Sequence, residues 1–182
     1  MQVIRVADIE KAIACLKSLD FYFDISQFEH RLIVQKVIFL LQLKGFHLGY
    51  PYGLYVRGPY SPSLASDYYH QKEEFKSLIT GKDLTGEEHQ IIQNLDQIFS
   101  TKASYLEIGG TYGYFAYVLS YDPLKAMKMV KKMKSQYSDS QIAIGISKAK
   151  EFLYPLTEEE KQLLENVTAP WKAVALNTLR SD

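Results

Sequence analysis

One cysteine, Cys15, stands in the whole chain, so neither an intramolecular disulfide nor a multi-cysteine zinc site can form. That excludes a disulfide-framed secreted module. Net charge is also missing: 21 Lys and Arg balance 21 Asp and Glu, which leaves little of the long-range attraction a basic protein has for DNA. No apolar run approaches the roughly 18 residues of a membrane span. Residues 1–20 lack the basic-then-apolar layout of a signal peptide. The expectation is a cytoplasmic protein with no membrane partner. Neither an internal repeat nor a low-complexity tract breaks the chain into pieces.

Catalytic signatures are absent too. There is no G-x-S-x-G elbow, no phosphate loop ending in Gly-Lys-Ser/Thr and no H-E-x-x-H. Asp67, His70 and Glu74 share a helix face at spacings of three and four, but such a face is more often a solvated surface than a divalent-ion site. Gly109-Gly110-Thr111-Tyr112-Gly113 lacks both the G-x-G-x-x-G order and the βαβ context of a phosphate-binding turn. His30, His47 and His89 are scattered, and Cys15 reads as a small core residue. The residues therefore point to no catalytic group, no metal and no cofactor.

What is present is a chain of 182 residues, 47% hydrophobic, long enough to bury a core without staples. Helix starts are its clearest signal. A Ser or Thr followed three residues later by Glu or Gln can satisfy free amides in both directions, and four such boxes occur: Ser26 with Glu29, Thr85 with Glu88, Ser138 with Gln141, and Thr157 with Glu160. Ser61-Pro62 and Asp122-Pro123 add a capping residue before a proline at the first helical position. These signals predict helices at about 8–19, 26–44, 62–79, 86–99, 123–134, 139–153 and 158–179.

The 26–44 helix is apolar around most of its circumference, which makes it the central one, and Gly45 sits where a left-handed cap is wanted. Residues 48–60 hold too much glycine, proline and tyrosine for a helix and read as a strand pair near 48–57. Ser104–Tyr121 has the composition of a hairpin and the length of a helix, and periodicity does not choose between them. The architecture implied is mainly α with one short β-hairpin: a single helical domain over 1–153, then a helical attachment over 154–182 that contains Pro170-Trp171.

Two surface features carry functional expectations. Seven of the 14 tyrosines lie between Tyr22 and Tyr69, and Tyr52, Tyr55 and Tyr60 beside Arg57 have the composition of a protein interface. Between 101 and 150 eight lysines face three acidic residues. Lys125, Lys128 and Lys132 fall on one face of the 123–134 helix, with Lys131 and Lys134 nearby, and Leu124, Met127 and Val130 on the side that can be buried. Such a face could contact the phosphates of nucleic acid.

Gln35-Lys36-Val37-Ile38-Phe39-Leu40-Leu41, followed by Leu54-Tyr55-Val56-Arg57-Gly58-Pro59-Tyr60-Ser61-Pro62-Ser63-Leu64, resembles the Panacea domain group of SocA-like antitoxins and the related YwgA-type proteins. Tyr105-Leu106-Glu107 with Thr111, and Lys131-Lys132-Met133-Lys134 before Tyr137-Ser138, are similar to the YwgA-type layout. The likeness covers residues 26–153 and treats Lys36, Gly58, Pro59, Ser61 and Leu64 as a structural motif. It implies a mainly helical, winged-helix-like fold with a small hairpin, a helix rather than a hairpin at 104–119, and neutralisation of a toxin by direct binding. The stretch from Thr157 departs from the pattern. Two functions follow as expectations: a non-enzymatic protein-interaction domain of antitoxin type, or a winged-helix-like nucleic-acid-binding regulator working through the 125–134 lysines.

Overall fold

The structure, a computed structural model, describes residues 6–154 together with Gln162. Apart from Gln162, the predicted 158–179 helix lies outside the described residues, as do the Thr157–Glu160 box and Trp171. Among the described residues there are eight α-helices and one two-stranded antiparallel sheet: α1 (Ile9–Ser18), α2 (Phe28–Leu43), β1 (Gly53–Tyr55), β2 (Gly58–Tyr60), α3 (Pro62–His70), α4 (Lys72–Ser77), α5 (Gly86–Phe99), α6 (Ala103–Gly113), α7 (Pro123–Met133) and α8 (Asp139–Leu153). The molecule is thus mainly helical with a short hairpin, as the sequence implies.

Helix α2 forms the axis. Every residue from Leu32 to Leu41 is buried, and α6 packs along it while α8 packs on α6. Its C-terminus closes as a Schellman motif, with Gly45 at φ +96°, Phe46 N–H donating to Leu41 O and Gly45 N–H to Gln42 O, both at 3.1 Å. Thr85 and Ser138 form complete capping boxes, while Ser61 and Asp122 cap α3 and α7 through their side chains.

The Ser26–Glu29 box does not form. Asp24 intercepts Ser26, accepting from its backbone N–H at 2.9 Å and its hydroxyl at 2.7 Å, so α2 starts two residues later with no side-chain cap. The expected 62–79 helix is two helices, because Gln71 (φ −114°, ψ 44°) leaves helical geometry between α3 and α4. The hairpin lies at 53–60 rather than 48–57, with Gly53 opposite Tyr60 and Tyr55 opposite Gly58 around a Val56-Arg57 turn.

Residues 103–113 are helical, and a π-helical turn at Tyr114–Val118 continues them. Glycine persists there because helices meet closely. A Cβ on Gly109 would lie 2.8 Å from the Phe99 ring and 3.2 Å from Gly145 O, and one on Gly145 would strike Ile108 at 2.6 Å. The two glycines let α6 and α8 touch nearly backbone to backbone, which offsets the helical propensity they forfeit. On α7 the buried side is Ala126 and Val130, while Leu124 and Met127 are exposed, correcting the expected apolar face. No described helix is long and apolar enough to cross a membrane.

Candidate functional site

The hairpin and the residues flanking it are held to the helical body by four polar side chains that a purely apolar core would lack. Gln35 Nε2 donates to Ser61 O at 3.0 Å, and Ser61 N–H donates back to Gln35 Oε1 at 2.8 Å. The next residue of the same helix, Lys36, places its Nζ 2.7 Å from Pro59 O. Seven residues after Gln35, Gln42 repeats the two-way amide clamp on Tyr50, with both bonds at 2.9 Å. From α7's end, Lys134 donates to Val56 O at 3.0 Å in the hairpin turn.

Lys134 also makes the central ion pair. Its Nζ lies 2.7 Å from Glu107 Oε1, and the two side chains are 0% and 1% exposed. Glu107 is further bound by Tyr137 Oη at 3.1 Å and Gln136 Nε2 at 3.4 Å, with Arg57 Nη1 3.6 Å from Oε2. Burying an ion pair costs several kcal/mol of lost hydration per ion, roughly, and such a pair is tolerated when further hydrogen bonds satisfy it, as here. The carboxylate therefore ties α6, the end of α7 and the hairpin turn together.

Burial pulls the Lys36 ammonium down to about 7, Glu107 opposing that shift while Lys134 and Arg57 reinforce it. Burial lowers Lys134 as well, against the hydrogen bond and charge of Glu107. Tyr137 is pushed up to about 12 by burial and by the same carboxylate. Gly58 carries φ +86°, and any Cβ there would collide with the Thr111 hydroxyl, which itself donates to Glu107 O at 2.7 Å. Only glycine fits both the turn and that contact.

Two clefts open beside this network. One, of about 180 Å³, lies between α2, the hairpin and α3, with Phe28, Arg31, Lys36, Arg57, Tyr68 and Tyr69 among its walls. The other, of about 310 Å³, is lined by Glu29, Lys102, Ser104, Glu107 and Tyr137 and shares Phe28, Leu32 and Arg57 with the first. Arg57 is thus the partition. Its guanidinium and that of Arg31 each sit 5.8 Å from the Phe28 ring centre, within cation–π range.

The proposed interface residues divide by burial. Tyr55, Val56 and Arg57 project from the hairpin at 51%, 83% and 52% exposure, and Phe28 and Tyr69 are exposed on either side. Tyr60 is half-buried with its ring 5.3 Å from that of Tyr55. Tyr52 belongs to the interior: its hydroxyl donates to Gln35 O at 2.9 Å and its ring packs on Phe39. In the motif of Lys36, Gly58, Pro59, Ser61 and Leu64, each residue has a packing or bonding role, with Leu64 and Ser61 wholly buried.

The lysine face also divides. Lys125, Lys128, Lys131 and Lys132 are exposed on α7, Lys131 pairing with Asp139 at 3.1 Å. Lys134 leaves that set, because its charge is spent on Glu107 inside the fold. Asp67 accepts from Tyr50 Oη at 2.9 Å, His70 bonds within its own helix to Ser66, and Glu74 stands on separate α4. Among the described residues no group of three or more His, Cys, Asp or Glu is placed to hold a metal ion. Cys15 is fully buried, and burial pushes its thiol up to about 12.

Gln35 and Glu107 stand in the stretches that carry the resemblance, but the sequence alone assigns neither of them a role. Each carries a signal in retrospect: a polar residue inside an otherwise apolar helical run. No family model, curated protein or solved structure matches the chain. The family resemblance accordingly rests on the motif residues alone.

Proposed function

We propose that this chain is a non-enzymatic, cytoplasmic protein-interaction domain that neutralises a toxin-like partner, as the SocA-like resemblance implies. One observation carries the reading: the hairpin tip is rigidly anchored from inside yet presents Tyr55, Val56 and Arg57 outward, with Phe28 and Tyr69 beside them. Tyr and Arg in a fixed setting are the residue types that dominate binding energy at protein interfaces. Anchoring matters because a preordered loop loses less conformational entropy on docking. Glu107 and Lys134, the buried acid and base of the site, are paired with each other, and Lys134 also holds the hairpin turn, which favours a binding role over an enzymatic one.

The test is site-specific photocrosslinking. A benzophenone amino acid replacing Val56 should capture one discrete protein in the native cell, and the same group at Ile79, exposed just after α4, should not. Equal capture from both positions would remove the assignment. The nucleic-acid reading keeps Lys125, Lys128, Lys131 and Lys132 as its support. It requires binding that weakens steeply with salt.

A further inference from the structure

The smaller cleft has an electrostatic imbalance that the partner reading does not use. Three cationic side chains, Arg31, Lys36 and Arg57, line it, and no carboxylate does. Glu107 approaches Arg57 only from the other cleft, at 3.6 Å, with its oxygens already taken by Lys134, Tyr137 and Gln136. Lys36 is 2% exposed and has one hydrogen bond, to Pro59 O, for an ammonium with three N–H groups. The remaining walls are Phe28, Leu32, Tyr60, Tyr68 and Tyr69, together with Gln35, whose amide is already bonded both ways to Ser61.

We infer that this cleft binds a small carboxylate carried on a flat apolar body, the acid group meeting Arg31, Arg57 and Lys36 and the body lying among the aromatic rings. The cations supply the missing counter-charge, and a planar carboxylate matches the guanidinium fork edge to edge. Size sets the ligand class. At about 180 Å³ the cleft falls below the roughly 300–1,000 Å³ of drug-sized pockets, so it suits a single ring or short acyl group with its acid. The cleft shares Phe28, Arg57 and Tyr69 with the proposed docking face, so a protein docked there would cover it, and the site is tested on the isolated chain.

Protonation adds a signature. The Lys36 amine sits near 7 under burial, the opposing Glu107 of α6, and the repulsion of Lys134 from α7 and Arg57 from the hairpin. A bound anion favours its charged form, so binding takes up a proton and tightens as pH falls through about 7. Tyr68, on the α3 wall, is pushed up to about 12 by burial and stays neutral across that window.

The experiment is an NMR titration of the full chain, following backbone amides and the Arg Nε and Lys Nζ signals, with benzoate as the probe and benzamide and benzylamine as matched neutral and cationic controls. Benzoate should give saturable shifts at Arg31, Lys36 and Arg57 below about 10 mM, and the controls should not. R57Q, a change at an exposed turn residue, should weaken benzoate about tenfold while the remaining spectrum stays folded. R31Q should do the same from the opposite wall. K36M should remove the pH dependence near 7. No saturable shift with benzoate, shifts centred away from this cleft, or equal binding of benzamide would each overturn the inference.

Discussion

Lys36 is the residue whose chemistry is most exposed to measurement. In the unfolded chain it binds its proton up to about pH 10.5, while the folded chain releases it near 7. Between those values the unfolded state holds more protons, so stability rises with pH, by at most roughly 1.4 kcal/mol per unit. Below 7 both states are protonated and the penalty is constant. Chemical denaturation of wild type against K36M should therefore show wild type gaining roughly 2–3 kcal/mol relative to the variant between pH 7 and 9. A parallel pair of curves would contradict the buried amine. Above pH 9 the Cys15 thiol and the buried tyrosines, raised by burial, oppose the trend in both proteins alike.

Glu107 makes a second residue-scale case. E107L leaves the Lys134 charge buried and unpaired and should cost about 3–5 kcal/mol, read from the denaturation midpoint. The double variant E107L/K134M removes both charges and should recover most of that loss, though Val56 O loses its donor. If the double variant were as unstable as the sum of two single changes, the pair would not be the coupled unit described above.

At the scale of elements, the α6–α8 crossing rests on Gly109 and Gly145. G145A drives a Cβ into Ile108 and should destabilise by about 1–3 kcal/mol, whereas G81A, with nothing within 4 Å of its new Cβ, should be near neutral. Thermal melts of the two variants make the comparison directly. The same elements show how much was legible in the sequence. Thr85, Ser138, Asp122 and Ser61 announce their helices because capping is local chemistry, decided within four residues. Ser26 fails for an equally local reason, a competing acceptor at Asp24. The position of the hairpin depends on contacts from α2, Lys36 to Pro59 O and Gln42 to Tyr50 O, which no short window of sequence contains. Helix α6 was ambiguous because its glycines only make sense once Phe99 and Gly145 are known to lie against them.

The candidate site followed the same division. Exposed Tyr55 and Arg57 could be read from composition, since interface residue types are a property of the list. Tyr52 could not be separated from them, because its burial is set by Gln35 and Phe39 on another element. The Glu107–Lys134 pair joins residues 27 apart, and Lys134 looked like one more lysine on a basic helix until the fold turned it inward.

At the scale of the whole molecule two faces stand apart: an aromatic and arginine face at the hairpin, fixed by internal polar bonds, and an exposed lysine row on α7, in a chain of zero net charge. Y55A/R57A should abolish partner capture with little loss of stability, because both side chains are about half exposed, and circular dichroism checks that the fold persists. The most direct measurement is a pull-down of tagged chain from its native cell, with and without nuclease, comparing wild type, Y55A/R57A and K128E/K132E by mass spectrometry. A stoichiometric protein that survives nuclease, disappears with Y55A/R57A and remains with K128E/K132E is the predicted result. Nucleic acid as the enriched species, lost with K128E/K132E and indifferent to the hairpin variant, would contradict it and move function to α7.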